Sequence, residues 1–267
     1  CDPVSLIHTC DRAYGEDLAI LGEHLGEEFL EQGVSIPLTT EEAQELETLA
    51  ADLLGEFGAQ LSVDVRLRLS RYRHIRHVSL RSLLAQYPKT VQRLADRLEK
   101  EVVPFTIEGE DILVDPDVYG EFTKSLVHVF RNAVDHGVDT PDERAEEEKS
   151  EEAHITCSVT RDGDEAVLVV ADDGNGIDPD DIRIRAAERG MMTEEEAMEV
   201  PDQEILELIF APSFSTRDDV TDLSGRGVGL AAVKAELEAL GGSLSLETEI
   251  GAGTTMTFRF PLAASPE

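Results

Sequence analysis

AVLVVADDGNGID, Ala166 to Asp178, is the stretch on which the fold turns. Its apolar run reads as a buried strand, and the Asp-x-Gly-x-Gly sequence behind it closes that strand with a turn. Glycine at 174 and 176 lets the backbone pass close to a flat ligand. The Asp172 carboxylate can accept a hydrogen bond from an exocyclic amine such as that of adenine. Taken singly, the same residues also describe an ordinary Asp-Gly turn.

Working outward, β-like runs at 102–107 and 154–160 precede this strand, and two more at 243–248 and 254–260 follow it. Helical patterns near 117–136 and 228–240 lie between them. Strands interleaved with helices imply an α/β layer with helices covering one sheet face. On the 117–136 helix, Lys124, His128, Asn132 and Asp135 or His136 recur every three or four positions and share a face, while Leu126, Val129, Phe130 and Ala133 line the opposite side. Directly before the 228–240 helix stands SGRGVGL, Ser224 to Leu230. Its glycines free the chain to wrap, and unpaired amides at a helix N-terminus suit a polyphosphate. The run lacks the Lys of a Walker loop and the preceding strand of a dinucleotide fingerprint.

The first hundred residues are mainly helical in pattern, which suggests a division into 1–100 and 101–267. Residues 16–32 read as an amphipathic helix by spacing. A second helix starts at Thr39, where Thr39 and Glu42 make a capping box. Leu61 to Leu69 alternates strictly between apolar and polar residues, which by itself favours a strand. From Arg71 to Lys100 the pattern is helical again, interrupted at Pro88.

Composition narrows the function. The 267 residues carry 57 acidic and 23 basic side chains, a net charge of −34. That excess argues against nucleic-acid binding, which needs clustered Lys and Arg. No apolar run approaches the ~18 residues of a membrane span, and no secretory signal opens the chain. Cys1, Cys10 and Cys157 make neither a disulfide framework nor a zinc site, so a reducing cytoplasm fits. The charge is uneven: residues 61–100 hold ten basic and three acidic side chains, after a segment of 14 acidic and one basic. Internal neutralisation between the two segments accounts for this better than a docking surface.

In this order and spacing the motifs resemble the ATP-binding domain shared by histidine kinases, gyrase, heat-shock chaperones and mismatch-repair ATPases. Asn132 matches the asparagine box, ADDGNGID the first glycine box, LIFAPSFST (Leu208 to Thr216) the phenylalanine box, SGRGVGL the second glycine box, and GAGTTMTFRFPL the closing strand. Within that superfamily, LVHVFRNAVDHGVDTPDER (Leu126 to Arg144) is similar to the CheA chemotaxis kinases, and the likeness covers roughly 72–262. The resemblance implies a Bergerat fold, a two-layer α/β sandwich whose mixed sheet is covered by helices on one face, behind a helical dimerisation segment. If that helical segment reaches back to 61–69, it conflicts with the strand pattern there.

The resemblance also implies roles. Asn132 would bind Mg2+, and Asp172 would select the adenine of ATP with Thr254 in support. Arg131, Asp135 and His136 would lie at the nucleotide, with Gly174 and Gly176. The stretch Ser224, Gly225, Arg226, Gly227, Val228, Gly229 and Leu230 would cradle phosphates, and Phe210, Ser215 and Thr216 would belong to a lid. Hydrolysing members and anti-sigma serine kinases carry a general-base glutamate four residues before the asparagine; here that position is His128. A neutral imidazole acceptor needs no such base, so phosphoryl transfer to histidine is favoured over a non-kinase ATPase switch or a serine kinase. His128 would orient the γ-phosphate or the incoming imidazole. The implied partners are a histidine phosphotransfer domain in cis or in trans, a response regulator, and a second copy through the N-terminal helices. The acceptor is expected elsewhere, because H-x-x-K-G is absent and neither His74 nor His77 begins an H-E or H-D motif. Ser79, Ser213 and Ala231 depart from the family pattern.

Overall fold

The computed structural model describes residues 38–212, 214 and 229–262. The helix expected at 16–32, Cys1 and Cys10 lie outside them, as do Ser213, Ser215, Thr216 and Ser224 to Val228. The chain divides into two units between His77 and Val78.

The first unit contains helices α1 (Thr40–Phe57) and α2 (Val63–Tyr72). Thr39 caps α1 as its sequence requires: its hydroxyl accepts from the Glu42 amide at 3.2 Å, and the Glu42 carboxylate accepts from the Thr39 amide at 2.8 Å. The strand suggested by 61–69 is instead α2. Alternation at every second position also fills two i, i+4 rows: Leu61, Val65 and Leu69 pack inward with Phe57, while Val63 and Leu67 face solvent. Local signals favour the helix, since the Ser62 side chain accepts from the Val65 amide and Asp64 pairs with Arg68 one turn on at 3.1 Å. Glu47 of α1 holds the turn after α2, accepting from the Arg76 amide at 3.0 Å and from its guanidinium at 2.7 Å.

The second unit opens with a two-residue strand β1 (Val78–Ser79), then α3 (Leu80–Leu84) and α4 (Tyr87–Arg97). Pro88 does not interrupt a helix but begins one. In the first turn of α4 its missing N–H breaks no intrahelical bond. The strand expected at 102–107 is reduced to a bridge between Val102 and Ala153, with β2 beginning only at Ile107 (Ile107–Gly109). Pro104, which has no N–H for a ladder, stands between them. After β3 (Leu113–Val114), which pairs with β1, come α5 (Pro116–Ser125) and α6 (Val127–Asn132), the latter ending in a π turn at Ala133–Gly137. The helix anticipated over 117–136 is therefore a chain of three pieces. Then follow α7 (Pro141–Glu146), β4 (Ile155–Asp162), β5 (Glu165–Asp172), α8 (Pro179–Glu188), α9 (Glu194–Glu199), α10 (Asp202–Glu207), α11 (Gly229–Ala239), β6 (Ser243–Glu249) and β7 (Gly253–Pro261).

Five strands form one mixed sheet in the order β2-β4-β5-β7-β6, parallel at β2–β4 and antiparallel elsewhere. Because side chains alternate, register decides which residues meet the helices. Val159, Leu168, Phe258 and Leu244 fall on one rung, and Cys157, Val170, Met256 and Leu246 on the next. These residues join Leu126, Val129, Phe130, Val233 and Leu237 in one core. Thr156, Ser158, Thr257 and Arg259 alternate with them and populate the other face. The result is the expected two-layer α/β sandwich, and its next rung after Val170–Met256 pairs Asp172 with Thr254.

Candidate functional site

Period two places Asp172 on the face that carries Ala166, Leu168 and Val170, so its carboxylate enters the space between sheet and helices. Burial there disfavours the charge and raises its pKa to about 6, against the amides of Gly174 and Thr254, which pull it down. Its Oδ1 accepts from the Gly174 amide at 3.1 Å. Thr254 is buried beside it, and the Thr248 hydroxyl, 3.2 Å from that of Thr254, accepts from the Ile177 amide at 2.8 Å.

Above this rung opens a cleft of about 400 Å³. The sheet supplies Val170, Asp172, Thr254 and Met256. Asn132, His136 and Gly137 come from α6 and its π turn. Gly176, Ile182 and Arg185 come from the turn after β5 and from α8, and Gly229 and Leu230 from the first turn of α11. Apolar side chains around the buried Asp172 carboxylate suit a purine with an exocyclic amine, while Asp178 and Asp181 stand on the wall at the start of α8. Besides the exposed Asp181 carboxylate, two polar groups in the wall are unspent. Among the described residues, neither the Asn132 carboxamide nor the Arg185 guanidinium has a hydrogen-bond or ion-pair partner. The first offers an oxygen of the kind Mg2+ takes alongside substrate phosphates, and the second offers a fork for phosphate oxygens. The donor set thus fits a magnesium nucleotide. No group of three His, Cys, Asp or Glu that could hold a metal alone occurs among the described residues.

Of the residues singled out in the sequence, the cleft gathers Asn132, His136, Asp172, Gly176, Gly229, Leu230 and Thr254. Arg131 and Asp135 stand outside its wall and pair with each other at 3.3 Å. His128 lies one turn before Asn132 and also off the wall; burial first, and then the Arg131 charge, lower its pKa, so the ring is neutral at pH 7. Phe210 is packed in the core, whereas Phe214 lines the cleft. Gly174 is not in the wall either. A Cβ there would stand 2.0 Å from the Gly137 carbonyl oxygen, so protein packing accounts for this glycine. Asp178 closes the glycine box without having been assigned a role, and Asp181, Ile182 and Arg185 escaped the sequence reading. The only signal was their spacing along a helix after the first glycine box, and nothing local says which face of that helix meets a ligand.

With this geometry in place, the class is settled by comparison. Residues 122–264 match the histidine kinase-, DNA gyrase B-, and HSP90-like ATPase family, and the chain belongs to that family. Among curated relatives it is 40% identical over 191 residues to the chemotaxis protein CheA of Halobacterium salinarum, covering 72% of this chain and 28% of that protein. It is 42% identical over 186 residues to the gliding motility regulatory protein of Myxococcus xanthus, covering 70% of this chain and 24% of that protein. This chain thus spans about a quarter of the length of these relatives. The catalytic domain of histidine kinase ThkA aligns with 16% identity and a TM-score of 0.45 over 70% of this chain and 94% of that one. No helix among the described residues is long and apolar enough to cross a membrane.

Proposed function

We propose that this chain is the nucleotide-binding catalytic core of a CheA-like histidine kinase, passing the γ-phosphoryl group of ATP to a histidine on a separate phosphotransfer domain, from which a response regulator would draw it. The observation that carries this reading is the pairing of two features. An acceptor, Asp172, is buried at the floor of the cleft, and the unspent Asn132 amide stands in the wall, with a neutral imidazole rather than a carboxylate one turn before it.

Asp172 would accept from the adenine amine, with Thr254 alongside. Arg185, His136 and the first turn of α11 would meet the phosphates. Asn132 would hold Mg2+, which when bound offsets charge on the phosphate oxygens. The incoming imidazole would attack phosphorus through a lone pair it already presents at pH 7, with the bond to the β-phosphate oxygen breaking and ADP leaving. His128 would orient that encounter without abstracting a proton. In the helical unit, Leu49, Val63, Leu67 and Tyr72 are exposed on α1 and α2, which supports a second copy docking there.

The test mixes the chain with γ-labelled ATP, Mg2+ and an isolated histidine phosphotransfer domain. We expect acid-labile phosphate on the acceptor, cut at least 100-fold, about 2.7 kcal/mol in the barrier, by Asn132→Ala. Steady phosphate release without acceptor, and no transfer with it, would replace this reading with a hydrolysing switch.

A further inference from the structure

The carbonyls at the end of α6 face a shortage of donors. The π turn closes with the Val138 amide donating to the Ala133 carbonyl at 2.8 Å, and the chain then leaves the helix at Val138 in an extended conformation. The carbonyls of Val134 and Asp135 come next, and the Thr140 amide is already committed to the Glu143 carboxylate at 3.0 Å. Both carbonyls are met by a side chain 34 and 35 residues earlier: the Lys100 ammonium donates to Val134 at 2.8 Å and to Asp135 at 2.9 Å. A cation at this end also complements the helix dipole.

Lys100 is itself held in place. It closes the C-terminus of α4 in a Schellman arrangement, its amide donating to the Ala95 carbonyl at 3.0 Å. The residue before it, Glu99, has φ +56°, in the left-handed region where glycine is usual. The π turn is fastened on its other side as well. The Gly137 carbonyl accepts from the Asn175 amide at 2.9 Å, and Gly137 lies so near Asp172 that an added Cβ would stand 3.1 Å from its Oδ1.

We infer that Lys100 is a positioning residue for the nucleotide site: by capping the Val134 and Asp135 carbonyls it fixes the π turn that sets His136 and Gly137 against the Asp172 carboxylate. It touches no ligand and acts through that turn, which makes the end of α4 a lever on affinity. This rests on the nucleotide reading above.

Titration of Mg-ATP into the full chain and its variants tests it, together with amide hydrogen exchange of the ligand-free proteins. Lys100→Met should weaken Mg-ATP about tenfold or more, and Lys100→Arg, which keeps the cation and its donors, should stay within about threefold of wild type. In Lys100→Met the amides of Val138 and Asn175 should exchange at least tenfold faster, while that of Leu168 in the central strand is unchanged. Wild-type affinity in Lys100→Met, or acceleration spread evenly over all amides, would overturn the role. If the wild type itself bound no Mg-ATP, the nucleotide reading would fall, and the exchange pattern alone would still decide whether Lys100 holds the turn.

Discussion

Asp172→Asn is expected to lower affinity for ATP at pH 7.5 by two orders of magnitude or more while making the free protein more stable. The carboxylate sits in an apolar floor, where an accepting oxygen facing an amine gives a charge-assisted hydrogen bond of about 1.5–3 kcal/mol. The amide can turn its NH2 toward the ligand amine and leave both donors unsatisfied, which adds to the loss. Stability moves the other way. The carboxyl ionises near 3.8 as an isolated group and near 6 in the fold. Between these values the folded state binds more protons than the unfolded, so stability falls as pH rises through the window and the deficit persists above it. Removing the charge should therefore recover about 1–3 kcal/mol above pH 6 and little below pH 4. Wild-type affinity should decline as pH falls below about 6 and Asp172 takes up its proton. Titration calorimetry and thermal melts at pH 4 and pH 7.5 read both effects; unchanged affinity in the variant would refute the assignment.

Gly174→Ala should act on folding and on the site together. Its Cβ would stand 2.0 Å from the Gly137 carbonyl oxygen and 2.9 Å from Asp172 Oδ1. Neither neighbour is free to give, because that carbonyl accepts from the Asn175 amide and that oxygen from the Gly174 amide. The π turn and the turn after β5 must part, at a cost of about 3 kcal/mol, which for a unit of this size lowers the melting temperature by about 6–12 °C. Gly120→Ala is the control. Nothing lies within 4 Å of that Cβ, and on α5 the substitution should be neutral or stabilising by up to about 1 kcal/mol. Equal melting temperatures for wild type and Gly174→Ala would contradict this packing account.

The sheet and its inward face were legible because β4, β5, β6 and β7 carry long apolar runs or clean alternation, and Asp172 followed from the same period. Short elements were not. Pro104 displaced the first strand, and the alternation at 61–69 served a helix equally well, so capping by Ser62 and the Asp64–Arg68 pair decided what periodicity left open. Motifs also named residues without saying what their backbone does. Gly174 belongs to the glycine box, yet it does not itself line the cleft; it packs against Gly137 behind the wall. Asp135 shared the helical spacing of Asn132 and Arg131 came from the resemblance alone, yet the two pair with each other outside the cleft. Arg185 became visible only when α8 folded over the sheet, since no local pattern marks it.

The most direct test is a calorimetric titration of ATP into the wild-type chain and Asn132→Ala at pH 7.5, each with and without Mg2+. The structure predicts one site per chain whose affinity rises with Mg2+ in the wild type and loses that dependence in Asn132→Ala. Absence of saturable binding at millimolar ATP, or an identical Mg2+ dependence in both proteins, would contradict it.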